Sequence, residues 1–288
     1  MLDSPRRALY GWQRFAICAS VTGRTAASDE RVCVMRHRLA RSLIAFAVLS
    51  ASVPAAAQVS ALPRTPDGKP DLQGLWQALS PAAWDIQDHQ AQLGVPPGQG
   101  VVDGNDIPYQ PWALAQKREN FANRLTADTL TKGYMPGVPR IMYMPFPFQL
   151  VQSADHVAMV FEYAHGTRTV HTNGTPHPRG PIGWWLGDSR GHWDGDTLVV
   201  DVVHFTDQTW FDRAGNFHSD ALHLVERYTL MGPDHINYEV TVEDPKVFTR
   251  PWQMSLPLYR RKEPNVRLLE YEPAYLMQEE QAEQDRGN

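Results

Sequence analysis

From Phe148 onward, apolar and polar side chains alternate with a period of two. Val157, Met159, Phe161 and Tyr163 share one parity against His156, Ala158, Val160 and Glu162; Ile236, Tyr238, Val240 and Val242 oppose His235, Asn237, Glu239 and Thr241 in the same way. That period puts every second side chain on one face of a strand. It predicts strands near 148–152, 156–163, 167–172, 184–192, 196–205, 221–230, 235–242, 247–259 and 266–272. Turn signals lie between the runs at Asn173-Gly174, Trp193-Asp-Gly-Asp196, Gly232-Pro-Asp234 and Glu263-Pro-Asn265. Consecutive strands with short links make an antiparallel meander, and a sheet this wide must curl or close to hide its edges. The fold expected is mainly β, an antiparallel meander forming a β-barrel or curved half-barrel over 148–276, with a β-sandwich as the alternative.

The preceding stretch, 58–147, lacks this alternation. Pro63-Arg-Thr-Pro-Asp-Gly-Lys-Pro-Asp71 and Gly94-Val-Pro-Pro-Gly-Gln-Gly100 predict an irregular wrap on the barrel, anchored by Leu75 and Trp76. One helix is predicted from Pro111 to Leu125, with Trp112, Ala115, Phe121 and Leu125 as its apolar positions. Further upstream, the basic Met35-Arg-His-Arg-Leu-Ala-Arg41 precedes the apolar Ser42-Leu-Ile-Ala-Phe-Ala-Val-Leu-Ser50 and the small-residue Val53-Pro-Ala-Ala-Ala57. These are the three parts of a secretory signal peptide, and the run is too short to span a bilayer. The expectation is a signal peptide at 35–57 cleaved after Ala57, a leader at 1–34 that is not translated, and a periplasmic or secreted product ending in an acidic tail at 277–288.

Cleavage there changes the composition. The whole chain has 27 basic and 32 acidic residues and a formal charge of −5; eight of those bases and three of those acids precede residue 58, so the remainder stands near −10. Both cysteines, Cys18 and Cys33, lie in the removed part. Disulfides, thiol nucleophiles and thiolate metal sites are thereby excluded from the exported product, and its acidity argues against nucleic acid as a partner. No membrane span is expected after cleavage, and the pattern leaves the oligomeric state open.

Long motifs fill the β-region: Trp185-Leu-Gly-Asp-Ser-Arg-Gly-His-Trp-Asp-Gly-Asp-Thr-Leu-Val-Val-Asp201, Asp212-Arg-Ala-Gly-Asn-Phe-His-Ser-Asp-Ala-Leu-His223 and Glu243-Asp-Pro-Lys-Val-Phe-Thr-Arg-Pro-Trp252. With Arg64-Thr-Pro-Asp-Gly-Lys-Pro-Asp-Leu72, they resemble a family of exported, mostly hypothetical bacterial proteins, and the architecture looks lipocalin-like. The resemblance implies export but no activity, since fold analogy alone does not carry function.

Candidate chemistry concentrates in two connections too long for hairpin turns, 173–183 and 206–219. Asp212 and His218 share the second, where the acid can orient the imidazole as a general base. Arg190 is the candidate for stabilising developing negative charge, and Glu162 or Asp188 for a second acid/base. Asp188 and Arg190 fall on the strand face that carries Trp184 and Leu186, so they either pair with each other or meet a ligand. Trp210, Phe211, Phe217, Tyr143, Trp184 and His171 are the candidate ligand-binding residues. His171, His177, His218 and His223 could in principle ligate a metal, but their spacing matches no helical or facial-triad pattern. Asp212 and His218 also fit a plain turn and cap, and His171 and His177 fit as loop histidines bonded to backbone. Ser189 and Ser219 lie outside any G-x-S-x-G elbow. Neither a G-x-G-x-x-G turn nor a P-loop is present, so no cofactor is expected. The leading expectation is a cofactor-independent lyase, isomerase or hydrolase acting on a small apolar or aromatic molecule. A non-catalytic periplasmic binding protein is the alternative, and a His-ligated metalloenzyme the third.

Overall fold

A computed structural model of the chain describes residues 62–278 and Arg286. The expected leader and signal peptide lie outside the described residues, as does most of the 277–288 tail. Nine strands form a closed barrel in chain order. They are β1 (Gly74–Ala78), β2 (Phe148–Gln152), β3 (His156–Phe161), β4 (Thr167–His171), β5 (Asp188–Asp194), β6 (Thr197–Val203), β7 (His223–Gly232), β8 (His235–Glu243) and β9 (Trp252–Arg260). β1 pairs antiparallel with both β2 and β9, so every strand has two neighbours and no edge is left open.

Three features depart from the sequence expectations. The meander is not wholly antiparallel, because β4 and β5 run parallel through Val170↔Ser189 and His171↔Arg190. A short turn can only reverse a strand, whereas the long 172–187 connection carries the chain back to the start of its neighbour. The closing strand comes from the N-terminal wrap: Trp76, expected as an anchor, is fully buried in β1. Residues 266–272 form no strand, and Tyr271 makes only a single bridge to Tyr163. β9 starts at Trp252, directly after Pro251, rather than at 247.

The helix α1 (Pro111–Ala122) ends at Asn123, and one more helical turn, Arg124–Ala127, follows. Its buried positions are Ala113 and Asn120, with Arg124 in the next turn, while Trp112 and Leu125 are exposed, contrary to the expected apolar stripe. At Asn120 this face meets the 209–218 loop. Asn120 donates to the Gly215 carbonyl, and Gly215 has φ +85° with its Cα hydrogen against Asn120, where any side chain would collide. Among the described residues no helix is long and apolar enough to cross a membrane.

Inward positions fill the barrel. β7 and β8 bury every second residue, Leu224, Glu226, Tyr228 and Leu230 facing Ile236, Tyr238, Val240 and Val242. Among these side chains Glu226 is a buried acid, and Arg168 of β4 meets it with both terminal nitrogens. Tyr228 and Tyr238 donate to the same carboxylate at 3.0 and 2.6 Å, and the Arg168 Nε–H donates to Ser189 Oγ at 2.9 Å. Burial opposes the Arg168 charge, but Glu226 holds it above the ordinary arginine range. The interior of the barrel is thus a packed core with a satisfied ion pair at its centre.

Candidate functional site

The same alternation that buries Val200, Val202, Leu224 and Val242 turns Asp201, His223 and Glu243 outward. Register then assembles them: Asp201 of β6 lies opposite Arg190 of β5, and His223 of β7 opposite Glu243 of β8. The 172–187 loop adds His177, which bridges Asp188 (Nδ1, 2.6 Å) and Asp201 (Nε2, 2.8 Å). The second Asp201 oxygen accepts from His223 Nε2 at 2.8 Å, and Glu243 accepts from His223 Nδ1 at 3.2 Å. Arg190 clamps Asp188 at 2.6 and 2.8 Å and donates to Thr175 Oγ1 at 2.7 Å. The result is an alternating chain of carboxylates and imidazoles across four strands and the 172–187 loop. Burial alone would lower the His223 pKa, but its hydrogen bonds to Asp201 and Glu243 outweigh that and raise it. Burial would likewise raise Asp188, yet Arg190 and His177 hold it below the usual carboxylate range.

A cleft of about 580 Å³ adjoins this array, between the 180–183 loop, the end of β6 and residues 220–223. Ile182, Phe205 and Leu222 give it apolar wall, and His204, His223 and Asp207 give it polar wall. His204 stands where β6 ends, in the left-handed region at φ +63°, which histidine, asparagine and aspartate enter more readily than other side chains. Its backbone carbonyl accepts from Trp184 N–H at 2.9 Å, and its Nε2 lies 2.9 Å from the Pro178 carbonyl. A carbonyl can only accept, so Nε2 carries a proton, and in the tautomer this selects the lone pair falls on Nδ1. The ring touches His177 and Trp184 edge-on, at centroid distances of 6.2 and 5.9 Å.

The structure therefore unites four of the sequence candidates, Asp188, Arg190, His177 and His223, and places Trp184 and His171 beside them. His171 faces outward in register with Arg190. The outward face also resolves the expected Asp188–Arg190 alternative: the two pair with each other.

The remaining candidates are elsewhere, and the Asp212–His218 pairing is corrected. Asp212 is fully buried and accepts from Ile86 N (2.9 Å), Asn216 N (3.1 Å) and Asn216 Nδ2 (2.5 Å). Burial, and then the charge of nearby Asp85, raise its pKa to about 7. His218 instead donates from Nδ1 to the Ser219 carbonyl and accepts at Nε2 from the Thr209 hydroxyl. Burial lowers its pKa, so it is a neutral, doubly satisfied core histidine rather than a general base. Ser219 is occupied by Asp244, and Ser189 by Arg168. Glu162 accepts from Leu269 N–H beside a different surface depression, so it does not converge with Arg190.

The aromatic candidates of the 206–219 loop are packed, not free to line a pocket. Phe211 is buried against His218, Phe248 and Trp252, and the Tyr143 hydroxyl donates to the Phe211 carbonyl. Phe217 stacks on Tyr109 and bridges to Trp210. As for the metal alternative, His218 is remote in bonding from the other three histidines, and among the described residues no three His, Asp or Glu side chains are placed to hold one ion.

Sequence reasoning missed Asp201 and His204. Asp201 was readable as the one acid in the apolar run Leu198 to Val203, and His204 as the polar residue that breaks that run before Phe205. No protein-family model and no curated protein matches the chain.

Proposed function

We propose that this chain is an exported enzyme that transforms a small apolar or aromatic molecule by acid–base chemistry in the cleft beside β6, as a lyase, isomerase or hydrolase. The observation that carries this reading is the pairing of two histidines of opposite character on one cleft wall. His204 has its Nε2–H committed to the Pro178 carbonyl and its Nδ1 lone pair available to take a proton. His223 is held toward its protonated form by Asp201 and Glu243, which take up both of its N–H groups, so it stands on the cleft wall as a fixed positive charge beside negative charge developing on the substrate. Phe205, Ile182 and Leu222 supply the apolar contact for the substrate body. Asp188, Arg190 and His177 are positioning residues: they orient Asp201, and through it His223. The signal-like order of residues 35–57 and the motif resemblance to exported proteins support the location.

The test is to incubate the protein in D2O with a panel of small aryl ketones, hydroxy acids and esters, following deuterium incorporation and new species by NMR and mass spectrometry. His204→Asn tolerates the left-handed backbone and should cut turnover by about 100-fold or more with an unchanged circular dichroism spectrum. Turnover untouched in that variant would refute the assignment, and binding without product across the panel would make the chain a carrier.

A further inference from the structure

A second cavity, of about 260 Å³, lies apart from the His204 cleft, between the N-terminal wrap, the 140–146 segment and the start of the C-terminal helical turn at 273–278. Its wall includes Trp84, Phe146, Tyr163 and Tyr271 together with two arginines, Arg140 and Arg213. Phe146, Tyr163 and Tyr271 touch one another at centroid distances of 5.6, 4.4 and 5.6 Å, forming a continuous aromatic surface. The Arg213 guanidinium sits over the Trp84 ring at 5.2 Å.

The two arginines differ in how their charge is balanced. Arg140 and Asp128 form an end-on bidentate pair at 2.9 and 2.8 Å, with both side chains almost fully buried. In that geometry the Nε–H edge of Arg140 is left over, and it is one of four buried side-chain polar atoms without a partner among the described residues. Arg213 forms no ion pair among the described residues. Arg140 and Asp128 cancel, so among the described lining residues the charge left over is that of Arg213, beside one unmade donor from Arg140.

From these features we infer that the cavity is a binding site for a small aromatic carboxylate of one or two rings. The ring packs among the aromatic side chains, and the carboxylate accepts from the Arg213 guanidinium and from the Arg140 Nε–H. One net positive charge matches a monoanion rather than a phosphate dianion. The volume lies below the roughly 300–1,000 Å³ range of drug-sized pockets, which favours a compact ligand.

Isothermal titration of the full chain with benzoate and 2-naphthoate, against benzamide and acetate, tests this. Benzoate or 2-naphthoate should bind at one site per chain, about 10-fold or more tighter than either benzamide or acetate. Arg213→Gln should weaken that binding by about 10-fold or more. His204→Asn should leave it unchanged, which separates this site from the catalytic cleft. Because Arg140 is buried in an ion pair, its role is read without substitution, from a shift of its Nε–H resonance on adding benzoate. Equal affinity for benzoate and benzamide, full binding by Arg213→Gln, or no binding of either aromatic acid at millimolar concentration would each overturn the inference.

Discussion

Glu226→Ala should be the most destabilising single substitution in the barrel interior, and the size of its effect follows from what it strands. The Glu226 carboxylate is fully buried and accepts four hydrogen bonds, two from Arg168 and one each from the Tyr228 and Tyr238 hydroxyls. Without it, Arg168 keeps only Ser189 Oγ as a partner for a charge it cannot shed. Removing one member of a buried ion pair costs about 3–5 kcal/mol, and each orphaned hydroxyl adds about 1 kcal/mol. Allowing for non-additivity, the expected loss is about 4–6 kcal/mol, comparable to the whole stability of many domains. Urea denaturation at pH 7, followed by far-ultraviolet circular dichroism, measures it. The companion variant Arg168→Met/Glu226→Leu removes both charges and should recover about 2 kcal/mol or more relative to Glu226→Ala. A loss below about 1 kcal/mol with an unchanged urea slope would refute the reasoning, as would a double variant no more stable than Glu226→Ala.

Two further predictions concern protonation. The folded pKa of Asp212, about 7, lies above its ordinary value of 3.8, so between those values the folded chain holds a proton that the unfolded chain releases. Its contribution is complete below about pH 4 and is lost as the pH rises to about 7, by an amount of order 2–4 kcal/mol. Urea midpoints compared over pH 4–8 should show this slope in the wild type and a flatter one in Asp212→Asn; parallel profiles would refute it. His223 should titrate above its ordinary 6.5 in an NMR titration of its ring protons, and Asp201→Asn should bring the midpoint down. Its stabilising effect is full below pH 6.5 and fades as the pH rises through the elevated midpoint, and a wild-type midpoint at or below 6.5 would overturn the assignment.

Much of the barrel was legible because alternation is a local property. The runs at 156–163 and 235–242 became β3 and β8 with the expected residues facing inward. The candidate site was half legible. Asp188, Arg190, His177 and His223 were visible by residue type in loops and strand ends, but their common focus, Asp201, reads in sequence as one polar position in an apolar strand. Asp212 and His218 show the opposite failure: six residues apart on one loop, they find other partners, because the loop turns Asp212 toward Ile86 and His218 toward Thr209. Arg168 was passed over because its counter-charge, Glu226, lies 58 residues further along the chain.

By itself, then, the chain determined eight of the nine strands, the parity of most of their buried positions and the turns between most of them, since these depend on side chains within a few residues of one another. Tertiary structure alone decided that β1 closes the barrel, that β4 and β5 run parallel, that Arg168 meets Glu226 across the interior, and that His204 and His223 line one cleft. Each of these joins segments far apart in sequence. Whether such a contact forms depends on the burial and hydrogen bonding of both partners together, set against the entropy of closing the loop between them, and no local pattern records that balance.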